Sequence, residues 1–250
     1  MITGASSGIG RSLAVKLAEK GAIIVIASRR KGKLEEFSQE LAKRSYRHLV
    51  CVADVTHRDQ VERMIDSAME KFGHLDIVIN SAGAAIYGPI AATDVAQVKY
   101  YFDLNVFGAV YAIQKVYPIM ARAGKGLIVN ISSTAGFKSW PNNGFYCAAK
   151  HALNAITDSL RLEAKKDNID VMLVMPGTTN TDFIDNAQNL PEEVKNNPPF
   201  DMTPDEAAEQ IIDAIVKNKK RVVLTAKGVI LYYLNRLSPS LVDKLLEKNA

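Results

Sequence analysis

Cysteine, histidine and tryptophan are scarce in this chain: two, four and one in 250 residues. Cys51 falls in an apolar strand pattern and Cys147 in a helical one, with no metal-ligand spacing between them. That argues against a metal centre and against a disulfide, and two buried free thiols are expected. The histidines at 48, 57, 74 and 151 are scattered and mark no site. No apolar run approaches the roughly 18 residues of a membrane span, and no charged-then-apolar leader opens the sequence. A soluble cytoplasmic protein is the expectation. Excess charge is also lacking, since 31 basic residues face 27 acidic ones. The mildly basic cluster Lys217, Lys219, Lys220 and Arg221 reads as a solvated face and is too sparse for a nucleic-acid partner.

What the chain does have is 48% apolar composition and a regular alternation. Near-continuous apolar runs at 22–27, 48–52, 75–79, 127–131, 171–175 and 222–224 carry the mark of parallel strands covered on both faces. Between them lie helical periodicities near 9–20, 33–44, 58–72, 94–122, 145–166 and 204–218. Strands alternating with helices predict an α/β fold: one domain, three layers, a doubly wound parallel sheet. The first strand is anomalous. Met1-Ile2 precede Thr3-Gly4 where a central strand has about five residues.

That stub runs into Thr3-Gly4-Ala5-Ser6-Ser7-Gly8-Ile9-Gly10 and then a helix. Glycines here let a backbone approach a pyrophosphate, and a helix N-terminus turns bare N–H groups toward it. Between strand and helix at the head of an alternating chain, the turn is strong evidence for a dinucleotide. Selectivity for the unphosphorylated form calls for an acid at the end of the second strand. Here the position reads Ala27-Ser28-Arg29-Arg30, with no acid before Glu35, so a 2′-phosphate and therefore NADP(H) is expected. The alternative is a pair of arginines that solvate a helix start.

Tyr146 and Lys150 stand four apart in a helical pattern, one turn above the other. An ammonium so placed favours a phenolate. The pair is common on amphipathic helices, so its surroundings must decide. Ser133 follows the strand pattern at 127–131 and would lie at a strand's carboxyl end.

With these residues the chain resembles the short-chain dehydrogenase/reductases, in their single-domain branch of about 250 residues. Further matches are Asp54-Val55, Asn80-Ser81-Ala82-Gly83, Asn105, and Pro176-Gly177 with Thr181, so the resemblance covers nearly the whole chain. It implies a Rossmann-type fold and a catalytic set of Asn105, Ser133, Tyr146 and Lys150. Beside the contacts expected along Gly4, Ser6, Ser7, Gly8, Ile9 and Gly10 and at Arg29 and Arg30, it implies contacts at Asp54 and Val55 for adenine and at Asn80, Ala82 and Gly83 for the ribose and strand ends. Tyr146 and Lys150 would touch the cofactor as well, and the loop of Pro176, Gly177, Thr178 and Thr181 would meet its carboxamide. Asn105 would hold a water that relays protons to Lys150. The reaction implied is hydride transfer between a nicotinamide and a carbonyl or alcohol, in a homodimer or homotetramer. An NAD-linked enzyme, or a silent cofactor-binding sensor or scaffold, are the alternatives. Ser81 departs from the family's second asparagine at that position.

Two stretches bear on the substrate. Residues 183–203, rich in asparagine and proline, predict a mobile loop that ends at the capping signal Thr203-Pro204-Asp205-Glu206. The tail from 229 to 246 carries Tyr232, Tyr233, Leu234, Leu237, Leu241 and Leu245 and is broken at Pro239. Core packing is expected for it, with a substrate lid, a subunit contact or a membrane-surface contact as alternatives. Ala84, Ala85, Ile86, Phe137, Trp140, Phe145 and Phe183 would surround the reacting carbonyl, with Lys138 as the fixed charge, which predicts an apolar ketone or aldehyde.

Overall fold

A computed structural model describes all residues except Asp185, 197–199 and 248–250; the side chains of 246 and 247 are also not described. The expected Asn197, Pro198 and Pro199 of the loop therefore lie outside the described residues.

Seven parallel strands form one sheet in the order β3-β2-β1-β4-β5-β6-β7. They are β1 (Ile2–Thr3), β2 (Ile24–Ser28), β3 (His48–Val52), β4 (Ile77–Asn80), β5 (Gly126–Ile131), β6 (Ile169–Met175) and β7 (Arg221–Val223). Helices α1 (Gly8–Glu19), α2 (Lys31–Lys43) and α8 (Pro204–Val216) cover one face. The other carries α3 (Arg58–Phe72), α4 (Val95–Phe102), α5 (Gly108–Ala123) and α6 (Gly144–Glu163). Each face has its own apolar core: Leu13, Leu34, Phe37 and Ile211 on the first, Val61, Ile65, Ala112 and Val116 on the second. The strands read as continuous apolar runs because both their faces are buried.

The stub β1 lies at the centre, bonded to β2 on one side and β4 on the other. Strand order reverses there, so the crevice beyond the carboxyl ends of β1 and β4 is the topological switch point where ligands bind in such sheets.

One element differs from the sequence pattern. The expected helix at 94–122 is α4 and α5 joined by one π-helical turn at Asp103–Phe107. Residues 183–203 are tied at both ends. Gln188 pairs with Ile86, its N–H donating to the Ala85 carbonyl at 2.9 Å, and Met202 pairs with Thr179. The short helix α7 (Glu192–Asn196) lies between them. The capping box at Thr203 and Glu206 opens α8 as expected.

The tail corrects an expectation. It forms α9 (Ala226–Leu237) and α10 (Pro239–Glu247), with Pro239 starting the second helix. Core packing fails for most of it: Ile230, Tyr233 and Leu237 are 66%, 61% and 84% exposed. These three share one helical stripe (i, i+3, i+7). Gly228 and the partly buried Tyr232 and Asn235 occupy the inward face, turned toward β7 and the segment after β5.

Candidate active site

The crevice has a volume of about 470 Å³ and runs from the glycine turn to Tyr146. Its first wall is the turn itself. Gly10 has no room for a side chain, since a Cβ there would lie 2.7 Å from the Gly4 carbonyl oxygen. Ser7 precedes α1 without a side-chain cap, and the first turn carries no acid, so the N–H groups face the crevice unopposed.

Arg29 and Arg30 both line the crevice, but differently. Arg30 is fixed in the turn: its Nε–H donates to Ser6 Oγ at 3.0 Å, and an Nη2–H donates to Ser7 Oγ. Ser6 in turn shares a 2.9 Å bond with Ser28 Oγ. Arg29 lies farther out, donating to the Tyr100 hydroxyl, with Nη1 3.8 Å from Asp54 Oδ2. Asp54 is held by Thr56, whose N–H and hydroxyl donate to Oδ1 at 3.0 and 2.8 Å. Asp54 and Val55 line the crevice, as do Ala82 and Gly83, Pro176 to Thr178, and Thr181.

At the far end stand Ser133, Tyr146 and Lys150. Ser133 ends the segment after β5 and accepts from the Ala135 N–H at 3.1 Å, capping a short 3₁₀ turn. Tyr146 and Lys150 share the buried face of α6. Lys150 Nζ–H donates to the Ile131 carbonyl at 3.1 Å and lies 5.7 Å from the centre of the Tyr146 ring. The electrostatics depart from expectation. Burial pushes the Tyr146 phenol well above its ordinary value, and a hydrogen bond with Ser133 acts against it. Lys150 itself is lowered to about 8 by burial. Desolvation outweighs the ammonium here because both groups have lost water.

Two expected residues do not line the crevice. Asn80 lies beneath it, its Nδ2–H donating to Asn130 Oδ1 at 2.8 Å; Asn130 in turn donates to Thr157 at 2.9 Å. It knits β4 to β5 and α6, because an amide buried at a strand end needs a partner. Asn105 sits in the π turn behind Gly83, its Nδ2 donating to the carbonyls of Ala84 and Tyr101, both at 2.9 Å. A Cβ on Gly83 would fall 2.7 Å from Asn105 Oδ1 and 3.4 Å from Lys150 Nζ, so that glycine keeps the amide and the ammonium close.

Of the expected apolar lining, Ala84, Trp140 and Phe183 face the crevice. Phe183 packs 5.8 Å from the Tyr146 ring. Ala85, Ile86, Phe137 and Phe145 do not line it: Phe137 stacks edge-on against Tyr232 of α9 at 5.1 Å, and Phe145 packs on the core beneath. Lys138 turns away to pair with Asp243 of α10. Tyr87, Leu104, Ile184 and Val194 also line the crevice and were not expected there. Their only sequence signals are that Tyr87 follows Gly83 closely, Leu104 precedes Asn105, and Ile184 and Val194 fall within 183–203. Both cysteines are buried and free. Among the described residues no cluster suits a metal ion, and no helix is long and apolar enough to cross a membrane.

Fold and crevice together define a doubly wound α/β protein of Rossmann type with its pocket at the switch point. The comparisons are narrower. The short chain dehydrogenase family profile matches residues 1–192, and the chain belongs to that family. An uncharacterized oxidoreductase of Staphylococcus epidermidis is 35% identical over 204 residues, covering 78% of this chain and 87% of its own. A short chain dehydrogenase/reductase from Burkholderia phymatum, solved in complex with NAD, superposes with a TM-score of 0.88 at 25% identity, covering 96% of this chain and 93% of its own. An alcohol dehydrogenase of the archaeon Thermococcus sibiricus, complexed with 5-hydroxy-NADP, shares the fold at 24% identity and a TM-score of 0.79, covering 90% and 94%.

Proposed function

We propose that this oxidoreductase is NADP(H)-dependent and reduces the carbonyl of an apolar ketone or aldehyde, with Tyr146 as its acid. The observation that carries this reading is the convergence of Ser133, Tyr146 and Lys150 at one end of a crevice whose other end holds the glycine turn and two arginines. The residues present fit a dinucleotide. The glycine turn takes the pyrophosphate, Arg29 and Arg30 the 2′-phosphate, Asp54 and Val55 the adenine, and the loop at 176–181 the carboxamide. When bound, the nicotinamide supplies the hydride.

The chain's own groups do the rest. Tyr146, kept neutral by burial, is in the form that gives a proton to the carbonyl oxygen. Ser133 holds and polarises that oxygen. Lys150, lowered to about 8, is charged at neutral pH; it holds the nicotinamide ribose and returns a proton to the phenolate through a water on buried Asn105 Oδ1, which has no bonding partner among the described residues. Trp140, Phe183, Leu104 and Ile184 exclude water and favour an alkyl chain over a polyol. The enzyme works in the cytoplasm as a homo-oligomer.

Tyr146→Phe removes the proton donor and little else. Reduction of a ketone panel, followed by loss of reduced-nicotinamide absorbance, should fall by roughly a hundredfold or more while cofactor affinity stays near wild type. Turnover above about a hundredth of wild type would remove Tyr146 from this role. A second reading, an NAD-linked enzyme, is favoured by Asp54 lying 3.8 Å from Arg29 and by the NAD complex of the Burkholderia relative. Competitive titration of the two cofactors separates them.

A further inference from the structure

Each arginine at the end of β2 already faces a carboxylate. For Arg29 it is Asp54, part of the fixed scaffold. For Arg30 it is Asp182, the residue after Thr181, which reaches across the mouth of the crevice from the substrate side. Asp182 Oδ2 stands 2.7 Å from Lys33 Nζ and 3.8 Å from Arg30 Nη1. These cations hold its carboxyl below the usual range, Lys33 most strongly. Arg30 cannot turn away to meet it elsewhere, because Ser6 and Ser7 fix its guanidinium beside the glycine turn.

We propose that Asp182 is a specificity-determining residue, an internal competitor for the cations that would receive the extra phosphate of a phosphorylated dinucleotide. This rests on the reading of the crevice as a dinucleotide site. A 2′-phosphate brings nearly two negative charges and three acceptor oxygens into the niche of Ser6, Ser7, Arg29 and Arg30. To engage Arg30 fully it must displace Asp182 or share the cation with it. The unphosphorylated dinucleotide carries a hydroxyl there and leaves the pair intact. Asp182 thus weakens NADP(H) and spares NAD(H), and the preference set by two arginines is smaller than the end of β2 alone implies. The acid is invisible to any motif read at β2, since it comes from the other end of the chain and meets Arg30 only in the fold.

Calorimetric titration of NADP⁺ and NAD⁺ into wild type, Asp182→Asn and Asp182→Glu tests this. Asp182 is exposed enough for both variants to fold, and the glutamate variant keeps the charge. Asp182→Asn should tighten NADP⁺ about fivefold, the upper end for an exposed ion pair, and change NAD⁺ less than about twofold. The gain should shrink in high salt, because the competition is between exposed charges. Asp182→Glu should keep the wild-type ratio. An unchanged ratio in Asp182→Asn, or an equal gain for both cofactors, would overturn the role of Asp182 while leaving the dinucleotide site standing. Failure of wild type to bind either cofactor would overturn both.

Discussion

Lys150 is buried at 4% exposure with its Nζ–H on the Ile131 carbonyl, and burial lowers it from an ordinary 10.5 to about 8. The sign of the linkage follows. Between pH 8 and 10.5 the unfolded chain binds more protons at this lysine than the folded one, so stability from this group rises with pH. Its cost is fully present below pH 8. Lys150→Met abolishes that dependence and leaves a constant offset from the Ile131 carbonyl. Relative to the variant, wild type should gain ~2 kcal/mol between pH 7 and 9.5. Cys51 and Cys147 also titrate in the alkaline range but are common to both chains and cancel, while burial keeps Tyr146 neutral across this window. Parallel urea-unfolding stabilities at the two pH values would show that Lys150 is not buried as charge. At this scale the sequence is legible where chemistry demands spacing. Tyr146 and Lys150 need one helix turn between them, and Gly83 is forced by what lies behind it. The burial of Asn80 and the acid that faces Arg30 are not legible. The partners, Asn130 and Asp182, come from distant chain segments, and no local pattern says whether a polar group faces a crevice or a core.

At the scale of elements, strands and helices come out close to their periodicities because two-sided burial writes itself as continuous apolar runs. The π turn at Asp103–Phe107 does not. It adds one residue without breaking the apolar pattern, and it turns Asn105 inward, a use typical of π turns at functional sites. The tail misleads for a related reason: its leucines and tyrosines repeat at helical spacing whether or not anything covers them. What α9 and α10 do hold is the segment after Ser133. Asn235 Nδ2–H donates to the Phe137 carbonyl at 2.9 Å, Tyr232 stacks on Phe137, and Asp243 pairs with Lys138, whose side chain is only 10% exposed. Asp243→Asn leaves that ammonium covered and uncompensated. It should cost about 1–2 kcal/mol in urea unfolding. Adding Lys138→Met should recover most of the loss, because the stranded charge is gone. Additive losses in the double variant would mean that the pair contributes nothing and that the tail holds this segment by its other contacts.

For the whole molecule, the strand order and the two cores follow from alternation and right-handed crossovers, and the crevice falls where that order reverses. Assembly is the level that a single chain writes least directly, yet α6 carries a signature. Ala148, Ala155 and Ser159 are exposed on it and Ala152 is half-buried, a strip small enough for another helix to approach closely. Leu162 extends the strip at 78% exposed, and Phe107, 44% exposed and stacked on Tyr111, adds an apolar edge at the start of α5. A solvent face gains nothing from such residues, whereas a two-fold contact between copies of α5 and α6 buries them against themselves, as closed symmetric assemblies require. Light scattering at micromolar concentration should therefore give at least twice the 27.4 kDa of one chain. Ala155→Arg places a long cation in the middle of the strip at a position the monomer leaves open to water, so it should split the assembly with little loss of monomer stability. A wild-type mass of one chain, or an Ala155→Arg variant that assembles as wild type does, would remove this face from the interface.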